Sequence, residues 1–241
     1  MFVKRKVFKI SFFIVVVFIV GLVFYNNSQF IKNKKEQSNL EKVVIKYEKI
    51  SKEENSSNVI LEYQKEFNNT DILGELSITN ANLVVPVVQA SDNEYYLNHL
   101  LDKSYNTLGS VFLDYRNKVD DRKILIYGHN SKLADTEFKL LENYSDKNYY
   151  TEHSDIYFKT IDNNYHYKIF SVYIATTDYR HVNLKFDDNG YKEHLRWLKS
   201  QSLYETSVDV YNEDILVLQT CYYNPEGSFL IVAAKKSCLK K

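Results

Sequence analysis

Hydrophobic and polar positions divide this chain into three zones. From Val7 to Tyr25 the residues are almost all apolar, interrupted only by Lys9, Ser11 and Gly21, and at about 1.5 Å per residue such a helix spans the apolar core of a bilayer. From Asn26 to about Asn69 polar and charged residues dominate, with Leu40, Val43, Val44, Tyr47 and Ile50 at helix-like intervals. That pattern predicts a stalk with helical segments, with disorder as the alternative for Ser51 to Asn58. From Ile72 onward short β-rich runs take over: Gly74 to Ile78, Leu83 to Val88, Val111 to Leu113, Ile124 to Tyr127, Asp155 to Ile161, Tyr165 to Thr176, Ile215 to Cys221 and Phe229 to Ala234. Runs this short, separated by polar turns, predict a mostly β barrel or sandwich. The expected organisation is an anchor over 1–25, a stalk over 26–70 and one domain over 71–241.

Two helical patterns interrupt the strands. Thr136 to Tyr144 sets Phe138 and Leu141 on one side, with Leu140 one residue off, and Gly190 to Ser200 sets Tyr191, Leu195 and Leu198 on a face beside Trp197. The second lies within Thr177 to Asp209, a connection far longer than a hairpin needs and of the kind that often carries a binding or lid element.

Composition changes this picture little, and charge settles the orientation. Lys4, Arg5 and Lys6 precede the apolar run, which keeps the N-terminus cytoplasmic and places the domain outside the cell membrane as a single-pass protein in contact with the lipid bilayer. No small-x-small site follows the run, where Tyr25-Asn26-Asn27 stands instead, so an anchor is expected rather than a cleaved signal. With 31 basic and 31 acidic residues the net charge is zero, which argues against nucleic-acid binding. Of the two cysteines, Cys221 ends a strand and Cys238 lies in a Lys-rich tail, so a disulfide framework is not expected; neither has a partner at metal-ligand spacing, and no metal or cofactor is implied.

The candidate chemistry is carried by Cys221 and His129. Ile215 to Thr220 delivers Cys221 at the tip of a strand, and Lys123 to Tyr127 runs directly into Gly128-His129-Asn130. A thiol works as a nucleophile when an adjacent imidazole takes its proton or stabilises its anion. The histidine precedes the cysteine by 92 positions (221 minus 129), the reverse of the papain order. Taken alone, a cysteine at a strand end reads as a small buried hydrophobe and the histidine as a turn residue; the flanking residues carry the argument.

Tyr127-Gly128-His129-Asn130 together with Leu218-Gln219-Thr220-Cys221 resembles the sortase family, whose signatures are a Gly-His turn and a Thr-Leu-X-Thr-Cys strand end. Gly109 to Asn117, Tyr150 and His153, and the helix in the long connection bring it nearest the class B sortases, over roughly Ile72 to Lys235. The resemblance implies an eight-stranded sortase-type β-barrel and a cysteine transpeptidase. Such an enzyme cleaves the C-terminal sorting signal of an exported protein after its Thr, holds the acyl group as a thioester, and passes it to an amine of cell-wall precursor or pilin. It further implies Cys221 as nucleophile, His129 as general acid and base, and Thr220 as an orienting or oxyanion residue; Asn130 reads as a turn residue or a catalytic one.

The chain departs from the family pattern twice. Val217 stands where the motif has Thr, which keeps β-branching and loses a hydroxyl. The Arg that usually begins the strand after the cysteine is matched by Ser228, and loss of such a donor costs about 10²- to 10³-fold in rate elsewhere. Arg180 is the candidate replacement cation, ahead of Arg116. The alternative reading is a sortase-like peptide-binding protein with weak catalysis.

Overall fold

A computed structural model describes residues 2–52, 58–132 and 134–237, with the side chains of 2–12, 14 and 15 outside the described set. Eight strands close into a barrel in the order β1-β2-β3-β4-β7-β8-β6-β5. They are β1 (Ile72–Ile78), β2 (Leu83–Val88), β3 (Phe112–Leu113), β4 (Lys123–Tyr127), β5 (Asp155–Thr160), β6 (Asn164–Ala175), β7 (Ile215–Tyr222) and β8 (Ser228–Ser237). Pairing is antiparallel except at β2–β3 and β4–β7. The central position of β4 explains its unbroken apolar run: Ile124, Leu125 and Ile126 are all buried because both faces of the strand are covered.

The pleat sorts side chains between two cores. Ile124, Ile126, Leu216 and Leu218 point into the barrel, whereas Leu125, Ile215 and Val217 point outward under the long β6–β7 connection. That connection carries α4 (Asp188–Ser200), which starts at Asp187, whose side chain accepts from the Gly190 N–H at 2.7 Å. Its Tyr191, Leu195 and Leu198 are buried, as the spacing predicts, and so is His194.

The other expected helix is wound differently. Residues Glu137–Ser145 form a 3-10 helix, and its buried side chains are Phe138, Leu141 and Tyr144. A repeat of three matches three residues per turn, so the tighter helix puts all three on one face. A short helix, α3 (Lys147–Glu152), follows it.

Over its described residues the polar zone is mostly helical and packs on the barrel. Helix α1 runs unbroken over Phe2–Lys52 and α2 over Val59–Phe67. Leu40, Val43 and Tyr47, spaced to share a helix face, are buried against the barrel, and Asn106 Nδ2 donates to the Glu36 carbonyl at 2.8 Å. Of the segment with the disorder alternative, residues 53–57 lie outside the described residues, as does Cys238. Among the described residues no helix is long and apolar enough to cross a membrane; much of the apolar run from Val7 falls on side chains outside that set.

Candidate active site

Strands β4 and β7 lie parallel, from Lys123 opposite Ile215 to Tyr127 opposite Gln219. The pairing continues past the end of β4, where the Gly128 N–H donates to the Gln219 carbonyl at 3.2 Å and Thr220 Oγ1 donates to the Gly128 carbonyl at 2.8 Å. Parallel neighbours finish at the same edge of a sheet, so the next residues, His129 and Cys221, emerge together. Asn130 ties the two ends: its Nδ2 donates to the Cys221 carbonyl at 3.0 Å and to Glu142 Oε1 at 2.5 Å, while the Tyr223 hydroxyl donates to the Asn130 carbonyl. Gly128 fits this turn because a Cβ there would lie 2.5 Å from Phe138 Cγ.

His129 and Cys221 line one pocket of about 300 Å³, walled largely by Leu97, Phe112, Tyr127 and Phe229. His129 Nε2 lies 2.7 Å from the Leu97 carbonyl. A carbonyl only accepts, so the neutral ring carries its proton on Nε2 and keeps Nδ1 as the basic nitrogen. Burial pushes the Cys221 thiol above its ordinary value, so the resting sulfur is a thiol rather than a thiolate at neutral pH.

Behind the pocket stands a polar hub, and its Arg116 ion pair is the one that the match over Gly109–Asn117 suggests. Asp114, fully buried, accepts from Arg116 Nε and one of its terminal nitrogens at 2.8 Å each, from Tyr127 Oη at 2.9 Å and from Asn93 Nδ2 at 3.0 Å. Burial alone would raise its carboxyl, but the hydrogen bonds from Arg116, Tyr127 and Asn93 prevail and hold it below the usual range. Arg116 is thereby a structural ion pair, and Asn93 and Tyr127 present their faces to the pocket. Gln219 also lines it, with Oε1 2.9 Å from Nε2 of the buried His181. Asp114 lies in the Gly109–Asn117 stretch and was findable there; the roles of the Leu97 carbonyl and Phe112 left no mark in residue type.

The two expected substitutes for the missing arginine are elsewhere. Ser228 pairs with Tyr222 and is 2% exposed, its hydroxyl donating to the Pro225 carbonyl at 2.6 Å. The β8 residue opposite Cys221 is Phe229, whose ring lines the pocket. A shift of one residue exchanges the faces of a strand, so the position facing the thiol holds an aromatic ring and Ser228 stabilises the hairpin turn. Arg180 is bound through its guanidinium to Asp178 at 2.6 Å and stacks over Trp197 at 4.3 Å, and it is not among the residues lining the pocket.

This combination of a closed mixed barrel with a thiol and an imidazole lining one largely apolar pocket at one sheet edge defines a class of cysteine-bearing β-barrel proteins. Residues 76–237 match the Sortase domain family. The chain is 35% identical over 157 residues to Sortase B of Listeria monocytogenes, covering 64% of this chain and 63% of that protein, so it spans just under two thirds of that relative. It is 30% identical over 213 residues to Sortase B of Staphylococcus aureus, covering 86% of each. The Staphylococcus aureus sortase B–substrate complex has a TM-score of 0.73 at 28% identity, over 86% of this chain and 98% of that one. The chain belongs to the sortase family, and these relatives are class B sortases.

Proposed function

We propose that this protein is a class B cysteine transpeptidase that cleaves a C-terminal sorting signal and transfers the exported protein to a cell-wall or pilin amine. The observation that carries this reading is the convergence of Cys221 and His129 in one pocket at the ends of adjacent parallel strands. As a peptide enters, the Cys221 proton passes to His129 and Sγ attacks the scissile carbonyl, since a buried neutral thiol needs a base at that moment. The C–N bond then breaks, and the imidazolium returns the proton to the leaving amine. The acyl group stays on Sγ as a thioester until an incoming amine displaces it.

Thr220 acts as a brace, because its hydroxyl is committed to the Gly128 carbonyl and fixes the histidine turn to the cysteine strand. Asn130 has the same character, clamping the Cys221 carbonyl. The apolar run ahead of the stalk supports a single-pass membrane anchor over 1–25, with α1 leading to the domain over 71–241 outside the cell. The anchored protein would then meet wall precursors at the membrane surface.

Phe229 opposite the thiol favours a second reading, a sortase-like peptide binder with weak catalysis. Hydrolysis of quenched-fluorophore peptides with Thr at the cleavage position, with and without added amine, separates the two. Cleavage that amine accelerates supports the transpeptidase, and binding without cleavage supports the alternative.

A further inference from the structure

His129 belongs to two cavities. The first is the apolar pocket that it shares with Cys221. The second, of about 180 Å³, is lined by Asn33 and Glu36 of α1, Thr107, His129, Asn130 and Tyr223, among others. Of the two, Cys221 lines only the first and Glu36 only the second.

We infer that the second cavity is the acceptor site, and that Glu36 of the stalk helix binds the primary ammonium of the incoming acceptor. This deepens the transpeptidase reading and rests on it. Thr107 Oγ1 donates to Glu36 Oε2 at 2.5 Å, and Asn106 Nδ2 holds the Glu36 carbonyl at 2.8 Å. These bonds fix the carboxylate while leaving Oε1, whose neighbouring cation is Lys32 at 4.0 Å with a side chain 55% exposed. Asn33 and Glu36 are three apart and share a helix face. Lys132, next to the cavity-lining Ser131, pairs with Glu226 and sits over the Tyr223 ring. A cavity of this size holds several waters or one short aminoalkyl arm.

The chemistry requires both neighbours. A carboxylate captures the acceptor as R–NH3⁺, the form that predominates for an alkylamine at neutral pH, but the nucleophile is R–NH2. The imidazole takes one proton from the ammonium, and the free amine attacks the thioester carbonyl. The C–N bond forms, the C–S bond breaks with its electron pair going to Sγ, and the second proton of the amine passes to that thiolate. The products are an amide, a restored thiol and an imidazolium that returns its proton to water. Because Glu36 belongs to α1, the segment that leads to the proposed anchor also completes the acceptor site.

The test uses the full chain and its Glu36→Gln and Glu36→Ala variants. The acyl-enzyme is formed with a labelled peptide carrying Thr at the cleavage position, then partitioned between water, triglycine and hydroxylamine, the last being largely uncharged at neutral pH. The expected result is about a tenfold loss of aminolysis by triglycine in both variants, the worth of one charge-assisted hydrogen bond, read as a rise in the half-saturating amine concentration. Acyl-enzyme formation and hydroxylaminolysis should match the wild type. Unchanged triglycine aminolysis, or an equal loss with hydroxylamine and at acylation, overturns the acceptor site while leaving the transpeptidase reading intact. No acyl-enzyme on the wild type overturns both.

Discussion

Replacing Asp114 by Asn tests the hub behind the site. Asp114 is wholly buried, whereas the Arg116 side chain is 39% exposed. Breaking a buried ion pair costs about 3–5 kcal/mol and an exposed one about 0–1 kcal/mol, so this half-covered pair should lose about 2–3 kcal/mol. The pH dependence gives a second reading. The folded carboxyl is held below the usual range, so its contribution is fully present above the unfolded carboxylate pKa of about 3.9 and is lost as pH falls through the lower folded value. Urea unfolding at pH 7 should therefore show the full difference between wild type and Asp114→Asn, and the difference should shrink on acidification below about pH 4. The variant turns one carboxylate oxygen into an NH2, so either Tyr127 and Asn93 or Arg116 Nε loses its acceptor, and since Tyr127 and Asn93 line the pocket, the peptide KM should rise. A difference below about 0.5 kcal/mol at pH 7, within the range of ordinary surface substitutions, or one that stays constant with pH, would refute the hub.

Other expectations concern the thiol and the imidazole. Phe229→Arg places a cation opposite Cys221, so the midpoint of iodoacetamide alkylation against pH, high in the wild type because burial raises the thiol, should fall by about 1 pH unit or more; an unmoved midpoint would mean that residue 229 does not face the sulfur. Gly109 has φ +61, and a Cβ there would lie 2.7 Å from the Leu97 carbonyl that holds His129. Gly109→Ala should cost at least about 1–2 kcal/mol from the left-handed backbone alone and reduce kcat/KM beyond what the unfolded fraction explains; normal turnover with normal stability would remove Leu97 from the account. Cys238→Ala should leave turnover unchanged, which rules out a required disulfide if peptide cleavage is retained and revives it if cleavage is lost.

The strands were legible because short β-rich runs bounded by polar turn residues mark them, even where both faces are buried. The pairing of Cys221 with His129 was legible because Cys221 lies at the end of one strand-like run and His129 just past another, and two parallel strands need only adjacency to bring their ends together. The residue facing the thiol from β8 was not. It depends on register, and a displacement of one residue turned Phe229 toward the pocket and Ser228 under the hairpin. The 3-10 winding at Glu137–Ser145 was hidden because a spacing of three, as between Phe138 and Leu141, fits one turn of either winding. Docking of α1 on the barrel was hinted at by Leu40, Val43 and Tyr47. Its approach to His129 depends on Glu36, a residue that reads in sequence as solvated charge.

Whether Cys221 carries an acyl group taken from a sorting signal is read by intact-mass spectrometry of the full chain. Wild type, Cys221→Ala and His129→Ala are each incubated with a peptide library bearing Thr at the cleavage position. The expected result is a mass increase equal to the N-terminal cleavage fragment on the wild type alone, discharged by added amine. No adduct with any peptide on a folded protein whose Cys221 still reacts with iodoacetamide, or an adduct that survives Cys221→Ala, would contradict it.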